Sequence, residues 1–209
     1  MKFASIVGFG DLGQQFYCYL EDKKYSNINF FDDYHSKQYN EFSHKFDEFR
    51  NPEFQVNDFY VALGYKNLKL KQEILNELIL LERNIPYFIH HSSFIHKTAL
   101  IEAGVFLYPM CNVDINVKLK MGSILNNSVI ISHDSIIGSC CYLSPGVVVC
   151  GNVTVGDNTF IGAGSIISNG VKIGKNVKIG IGTVVTQNIP DNFSVIGNPM
   201  KIKDKNLNL

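Results

Sequence analysis

A chain of 209 residues is long enough to bury a sizeable core and fits one large domain or two small ones. Its 19 basic and 19 acidic residues cancel, which leaves no electrostatic footprint for nucleic acid or an anionic membrane. Five cysteines without a C-x-x-C pair suit reduced thiols in a cytoplasmic setting better than a disulfide framework. No apolar run reaches the ~18 residues of a membrane span, and the N-terminus lacks the h-region and cleavage site of a signal peptide.

In chain order, residues 1–88 read as a small α/β unit. "FASIVGFG" is a buried strand ending in glycines, and "DLGQQFYCYLED" is helical, with Leu12, Phe16, Tyr19 and Leu20 on one face. "NINFFDD" and "DFYVALG" are further strands. "NLKLKQEILNELILLERN" is a helix turning Leu68, Ile74, Leu75, Leu78 and Leu81 to the sheet, and "PYFIH" offers a last strand. Alternation of strand and helix implies a parallel sheet. The stretch from Tyr34 to Asn57, which holds His35 and His44, has no period and reads as a solvated loop with room for short elements.

The glycine turn "GFGDLG", Gly8 to Gly13, fits G-x-G-x-x-G between strand and helix, and Asp32 ends the next strand. Alone, that is the dinucleotide-binding fingerprint, with phosphates at a helix N-terminus. A full dinucleotide fold needs two mononucleotide halves, and 88 residues supply one. The motif therefore reads either as a grip on one nucleotide diphosphate or as glycines that permit close helix–strand packing.

From Ile89 the beat changes. Aliphatic residues fall every six positions without a skip, from Ile89, Ile95 and Ile101 through Ile131, Ile137 and Leu143 to Ile179 and Val185. Four residues after each comes a small or branched side chain, such as Ser135, Cys141 or Val147. A strict short period means stacked coils that bury their apolar sides only against one another. Period six suits a triangular prism with three flat strands per eighteen-residue coil, hence five to six coils over 89–190, about 25 Å long.

His133 is the third residue of its hexapeptide, a corner place filled elsewhere by Pro145, Gly151, Asp157, Ala163 and Asn169. Asp134 follows it, and a neighbouring carboxylate can hold an imidazole tautomer and raise its basicity. Gly151 lies eighteen residues on, so it stacks beside His133. His90, His91 and His96 open the coils as a possible zinc set, but no comparable cluster lies mid-prism, and no metal is expected. Cys140, Cys141 and Cys150 fill small-residue packing positions rather than forming a nucleophilic centre.

The beat, with units such as "IGAGSI" and "IGIGTV", resembles the left-handed β-helix acyltransferases, the hexapeptide-repeat family. "IPDNFSVIGNPMKI" resembles the segment that closes such helices, with Met200 where the family usually has Ala. The resemblance covers nearly the whole chain and is strongest to bacterial acetyltransferases of nucleotide-linked amino sugars and of sialic acid. It implies an α/β half-Rossmann-like unit over 1–88 that binds a nucleotide sugar. A left-handed parallel β-helix with the acetyltransferase site follows over 89–190, then a closing segment over 191–209.

The resemblance further implies acetyl-CoA as co-substrate, no metal, and a cytoplasmic homotrimer whose ligands meet between adjacent subunits. His133 becomes the general base with Asp134 beside it, and the Gly151 amide contacts the acetyl group. Tyr142, where the family often has His, lines the CoA arm with Ala163 and Ile181. Asn126 meets the sugar, and Gly10, Asp11, Leu12, Asp32, Asp33 and Gly64 meet the nucleotide end. Asp11 stands where such turns are usually neutral or basic. The expected reaction is N-acetylation of an amino-dideoxy sugar such as a 4-amino-4,6-dideoxyhexose for glycan assembly, by direct transfer. Acetylation of a hydroxyl of the sialic-acid type, or a non-catalytic trimeric scaffold with a ligand-sensing N-terminal unit, remain the alternatives.

Overall fold

The computed structural model describes residues 2–21, 25–34 and 42–203. His35 and residues 204–209 of the closing segment lie outside them. The chain divides into two compact units, Met1–Pro86 and Tyr87–Leu209.

In the first unit, β1 (Phe3–Val7), β2 (Asn27–Phe31), β3 (Ser43–His44) and β4 (Asp58–Val61) form a parallel sheet in the order β3-β2-β1-β4. The central strand β1 is buried from Ala4 to Val7, as befits a strand with neighbours on both edges and layers on both faces. Helix α1 (Asp11–Glu21) buries Gly13, Phe16 and Leu20. Helix α2 (Leu68–Leu80) buries Leu68, Ile74, Leu75 and Leu78, whereas Leu81 follows its last residue and is exposed.

Strand β3 comes from the stretch without a period, because a two-residue strand is too short to show one. Among the described residues of that stretch there are also 3₁₀ turns at Phe46–Arg50 and Pro52–Phe54. His44 is not a solvated loop residue. Its half-buried ring stacks on Phe31 at 5.2 Å, meets Phe54 edge-on at 4.9 Å and sets Nε2 3.2 Å from Asn29 Oδ1. "PYFIH" does not extend this sheet either. Phe88–Ile89 pairs with Phe106–Leu107 and opens the coils, while Asn84 meets β4 in a single bridge.

In the second unit every coil strand is two residues long, one side chain outward and one aliphatic inward. Pairing advances by eighteen residues, as in Leu107, Leu125, Leu143, Ile161 and Ile179. Three faces result. The first runs from Phe88–Ile89 to Lys178–Ile179, the second from Phe94–Ile95 to Val184–Val185, and the third from Leu100–Ile101 to Lys172–Ile173. Inward residues such as Val113, Leu119, Leu125, Ile131 and Ile137 are fully buried, each contributing roughly 1.5–3 kcal/mol.

Ser and Thr in the small positions are not misfits. Ser135 Oγ donates to Cys150 O at 3.0 Å and Ser165 Oγ to Gly180 O at 3.0 Å, satisfying carbonyls of the next coil. From Ile101 to Ile179 the residue three places after each inward aliphatic takes a left-handed conformation, among them Asn116, Asp134, Asn152 and Asn158, all at φ 57°. Asn, Asp and Gly accept that region most readily, which explains their recurrence at the corners.

The beat breaks once. Ile179 pairs with Val195 and Ile173 with Ile189, sixteen residues on instead of eighteen. The last coil is two residues short, so Ile189 fills the core while Asp191 turns outward and accepts the Lys175 N–H at 2.8 Å. Lys201–Lys203 then folds back antiparallel on Ser194–Ile196. Among the described residues no helix is long and apolar enough to cross a membrane.

Candidate active site

His133 stands on the edge between the second and third faces, just after the Ile130–Ile131 strand. About half of its side chain is exposed, as is that of Asp134. Its Nδ1 lies 2.9 Å from Asp134 Oδ2, which places the ring proton on Nδ1 and leaves Nε2 as the basic nitrogen. The left-handed backbone at Asp134 turns its carboxylate back toward the ring, and the Asp134 N–H is tied to Ile115 O at 2.9 Å.

Asp134 is held from a second side. Asn116, one coil earlier, donates Nδ2 to Asp134 Oδ1 at 3.1 Å. The hydrogen bond from His133, then that from Asn116, keep the Asp134 carboxyl below the usual carboxylate range. It is therefore a fixed negative charge beside the imidazole across the neutral range.

Gly151 lies beneath the ring, as the eighteen-residue count requires. A Cβ there would sit 2.5 Å from His133 Nε2 and 2.6 Å from Cε1, so only glycine leaves the imidazole its place. The Gly151 N–H donates to Asn169 Oδ1 at 2.8 Å. The amide expected to face an acetyl group thus already has a partner one coil further on. Asn116 and Asn169 were not singled out from the sequence. Both stand eighteen residues from a named site residue, and a column read at that interval would have found them.

The other coil candidates are on a different edge. Asn126, Tyr142, Ala163 and Ile181 belong to the first face or its junction with the second. Asn126 Nδ2 donates to the Tyr142 hydroxyl at 3.1 Å, so those two form one feature. Below them the corners read Gly162–Ala163–Gly164 and Gly180–Ile181–Gly182, with open space where side chains of Gly164 and Gly182 would stand. Glycines with open space beside them leave the backbone there approachable by a ligand. The second face separates the two edges within one chain, and it turns Phe94, Ile130 and Ile166 outward with large exposed areas.

In the first unit the glycine turn divides by role. A Cβ on Gly13 would collide with Gly8 O, and one on Gly8 would meet Leu63 and Ala62, whereas Gly10 faces open space. Gly64 approaches only Leu12, at 3.9 Å. Asp32 ties the turn to the end of β2, accepting from Phe9 N and Tyr34 N at 2.9 Å each. Asp33 accepts from Phe46 N at 3.0 Å. Both acids shape backbone here, and Asp11 begins α1 on the exposed side.

His90 and His96 keep local company, their Nδ1 atoms 2.8 Å from Ser92 Oγ and 3.0 Å from Thr98 Oγ1. Among the described residues no three His, Cys, Asp or Glu side chains gather as a metal set. Cys111, Cys140 and Cys141 are buried. Burial pushes the Cys111 thiol up to about 11 and the Cys141 thiol to about 12, values unsuited to a nucleophile.

A family model described as the bacterial transferase hexapeptide, six repeats, matches residues 134–169, and one described as the hexapeptide repeat of succinyl-transferase matches 152–187. The chain is 26% identical to the acetyltransferase domain of PglB from Neisseria gonorrhoeae, with a TM-score of 0.88 over 97% of this chain and 100% of that one. The same domain in complex with acetyl coenzyme A matches at 27% identity and TM-score 0.87, over 97% and 99%. PerB from Caulobacter crescentus, in complex with CoA and GDP-perosamine, shares the fold at 23% identity and TM-score 0.88 over 98% of each chain. With its six-residue beat, its eighteen-residue register and this end-to-end likeness, the chain carries hexapeptide repeats and shares the two-part α/β and β-helix fold of these acetyltransferase structures.

Proposed function

We propose that the protein transfers the acetyl group of acetyl-CoA to the amine of a nucleotide-linked amino-dideoxy sugar, of the 4-amino-4,6-dideoxyhexose class, with His133 as general base. The observation that carries this reading is the His133 edge: an imidazole paired through Nδ1 to Asp134 at 2.9 Å, its Nε2 resting over Gly151. The likeness to a PglB domain with acetyl coenzyme A and to PerB with CoA and GDP-perosamine supports the choice of both ligands.

The amine nitrogen attacks the thioester carbonyl, and Nε2 takes its proton as the C–N bond forms. The negative oxygen of the tetrahedral intermediate needs a donor. The Gly151 N–H supplies it by exchanging Asn169 Oδ1 for the acyl oxygen. Collapse breaks the C–S bond, and the imidazolium returns the proton to the CoA thiolate. No acyl-enzyme is required, in keeping with the burial of Cys111, Cys140 and Cys141.

The arrangement of edges favours a homotrimer. Three prisms with their second faces around the axis would cover Phe94, Ile130 and Ile166. They would also set the His133 edge of one copy against the Ala163–Ile181 edge of the next. The CoA arm then runs along the glycine-lined corner, near Tyr142, and the sugar lies toward Asn126. In the first unit, the open turn at Gly10, Asp11 and Leu12 with Gly64 takes the nucleotide end, and Asp32 and Asp33 hold its walls.

The test is acetyl transfer from acetyl-CoA to UDP-, dTDP- and GDP-linked 4-amino-4,6-dideoxyhexoses. Wild-type protein should turn over one of them, and His133→Ala should lose most turnover while it elutes as a trimer and binds CoA. Full activity in His133→Ala would sink the general-base assignment. Acceptance of hydroxyl sugars alone would move the activity to O-acetylation.

A further inference from the structure

The His133 edge holds a hydrogen-bond column longer than the histidine–aspartate pair. Thr98 Oγ1 accepts from Asn116 N at 2.9 Å, Asn116 Nδ2 donates to Asp134 Oδ1 at 3.1 Å, and Asp134 Oδ2 faces His133 Nδ1 at 2.9 Å. The three steps climb three successive coils. Thr98, Asn116 and Asp134 are eighteen residues apart, in the corner place where the later two adopt φ 57°. The coil geometry alone sets their backbones in line, and the side chains complete the link.

The same ladder occurs where no histidine stands beside it. Asn176 Nδ2 donates to Asn192 Oδ1 at 3.1 Å, a link between corners of two other coils. Such a link is thus a general way to tie left-handed corners together. At the His133 edge its upper member is an aspartate, whose second oxygen is turned to the imidazole. A carboxylate bound on one oxygen by an amide N–H loses rotational freedom, and its other oxygen is then fixed in direction.

We propose that Asn116 is a positioning residue: it locks the Asp134 carboxylate so that the proton of His133 stays on Nδ1 and Nε2 stays free to accept. This rests on the reading of His133 as general base. The other titratable or charged groups of this edge are Asp114 and Lys97 with His96 on the preceding coils and Cys150 on the following one. Asp114 is engaged locally, accepting from Ile115 N at 2.7 Å, and His96 is engaged with Thr98.

Two substitutions separate positioning from corner capping. Asn116→Gly removes the donor while keeping the left-handed backbone accessible. Asn116→Asp keeps shape but replaces the donor with a second carboxylate beside Asp134. In substrate-free, full-length protein labelled with ¹⁵N-histidine, Asn116→Gly should lower the fraction of His133 protonated on Nδ1 in the neutral ring. Asn116→Asp should raise the midpoint of the His133 titration, because a second negative charge favours imidazolium.

With acetyl-CoA and the amino sugar that wild type accepts, Asn116→Gly should cut kcat about 10-fold with KM unchanged. Asn176→Gly, which breaks the matching ladder elsewhere, should leave both titration and kcat at wild-type values. If His133 titrates and partitions its proton as in wild type in both Asn116 variants, the assignment is overturned. The spectroscopic arm needs no substrate. A wild-type protein without turnover would therefore count against the proposed reaction and leave the test of Asn116 intact.

Discussion

Gly13 and Gly151 are both closed to a Cβ, but by different kinds of atom. Gly13 is blocked by the carbonyl of Gly8 in the same turn, Gly151 by the imidazole of His133 one coil away. In the first unit a glycine motif that reads as a phosphate grip is, at two of its three glycines, a demand of close packing, Gly13 against the Gly8 carbonyl and Gly8 against Ala62 and Leu63 after β4; only Gly10 of the three faces open space. In the coils Gly151, which the eighteen-residue count already sets beside His133, is the floor on which the imidazole rests. A glycine pattern thus carries chemistry only where the atom it makes room for is itself chemical.

The largest expected effect follows from removing that atom. His133→Ala should lower kcat by ~10²- to 10⁴-fold with an unchanged melting temperature, and in that background Gly151→Ala should add little, since the two act as one unit. A further large loss in the double variant would separate the roles of Gly151 and the imidazole. Gly151→Ala alone should push the ring aside and cost about 10²-fold in kcat. Its thermal unfolding should stay close to wild type, because a side chain yields where a backbone cannot.

Gly13→Ala should behave in the opposite way. The Gly8 carbonyl cannot move without disturbing β1, so about 1–3 kcal/mol of stability should be lost, visible in denaturant unfolding. A Gly13→Ala variant as stable as wild type would contradict the packing assignment.

Asp134→Asn keeps a residue that tolerates φ 57° and removes the negative charge. The acid limb of kcat/KM should then move to lower pH, because a neighbouring anion favours imidazolium, and kcat should fall about 10-fold. The wild-type Asp134 carboxyl is depressed, chiefly by its bond with His133. Its contribution to folding is therefore fully present above the ordinary carboxylate range and is lost as pH falls through its lower native value. An acid limb that stays in place in Asp134→Asn would remove Asp134 from the tuning of His133. The smallest effect is expected at Gly10→Ala, within about 0.5 kcal/mol of wild-type stability. A clear loss of nucleotide-sugar affinity there, measured by calorimetry, would mark Gly10 as the ligand-facing glycine of the turn.

By itself the sequence determined the period. Every coil buries one aliphatic per face against identical neighbours, so the packing requirement is written every six residues, and eighteen-residue stacking places His133 over Gly151 by counting. It did not reveal Ser43–His44 as a strand, since two residues carry no period. Nor did it show the coil that is two residues short, where Ile189 displaces Asp191 from the core. "PYFIH" went to the coils because its strand finds a partner in Phe106–Leu107, a choice that depends on which edge is offered in space. The ties of Asn116 to Asp134 and of Asn169 to Gly151 were likewise decided by tertiary structure. They link residues eighteen apart through side-chain rotamers, and the separation of the His133 edge from the Ala163–Ile181 edge depends on which of three faces each strand joins. Local composition records what a residue must bury, and only the assembled coils decide which residue it meets.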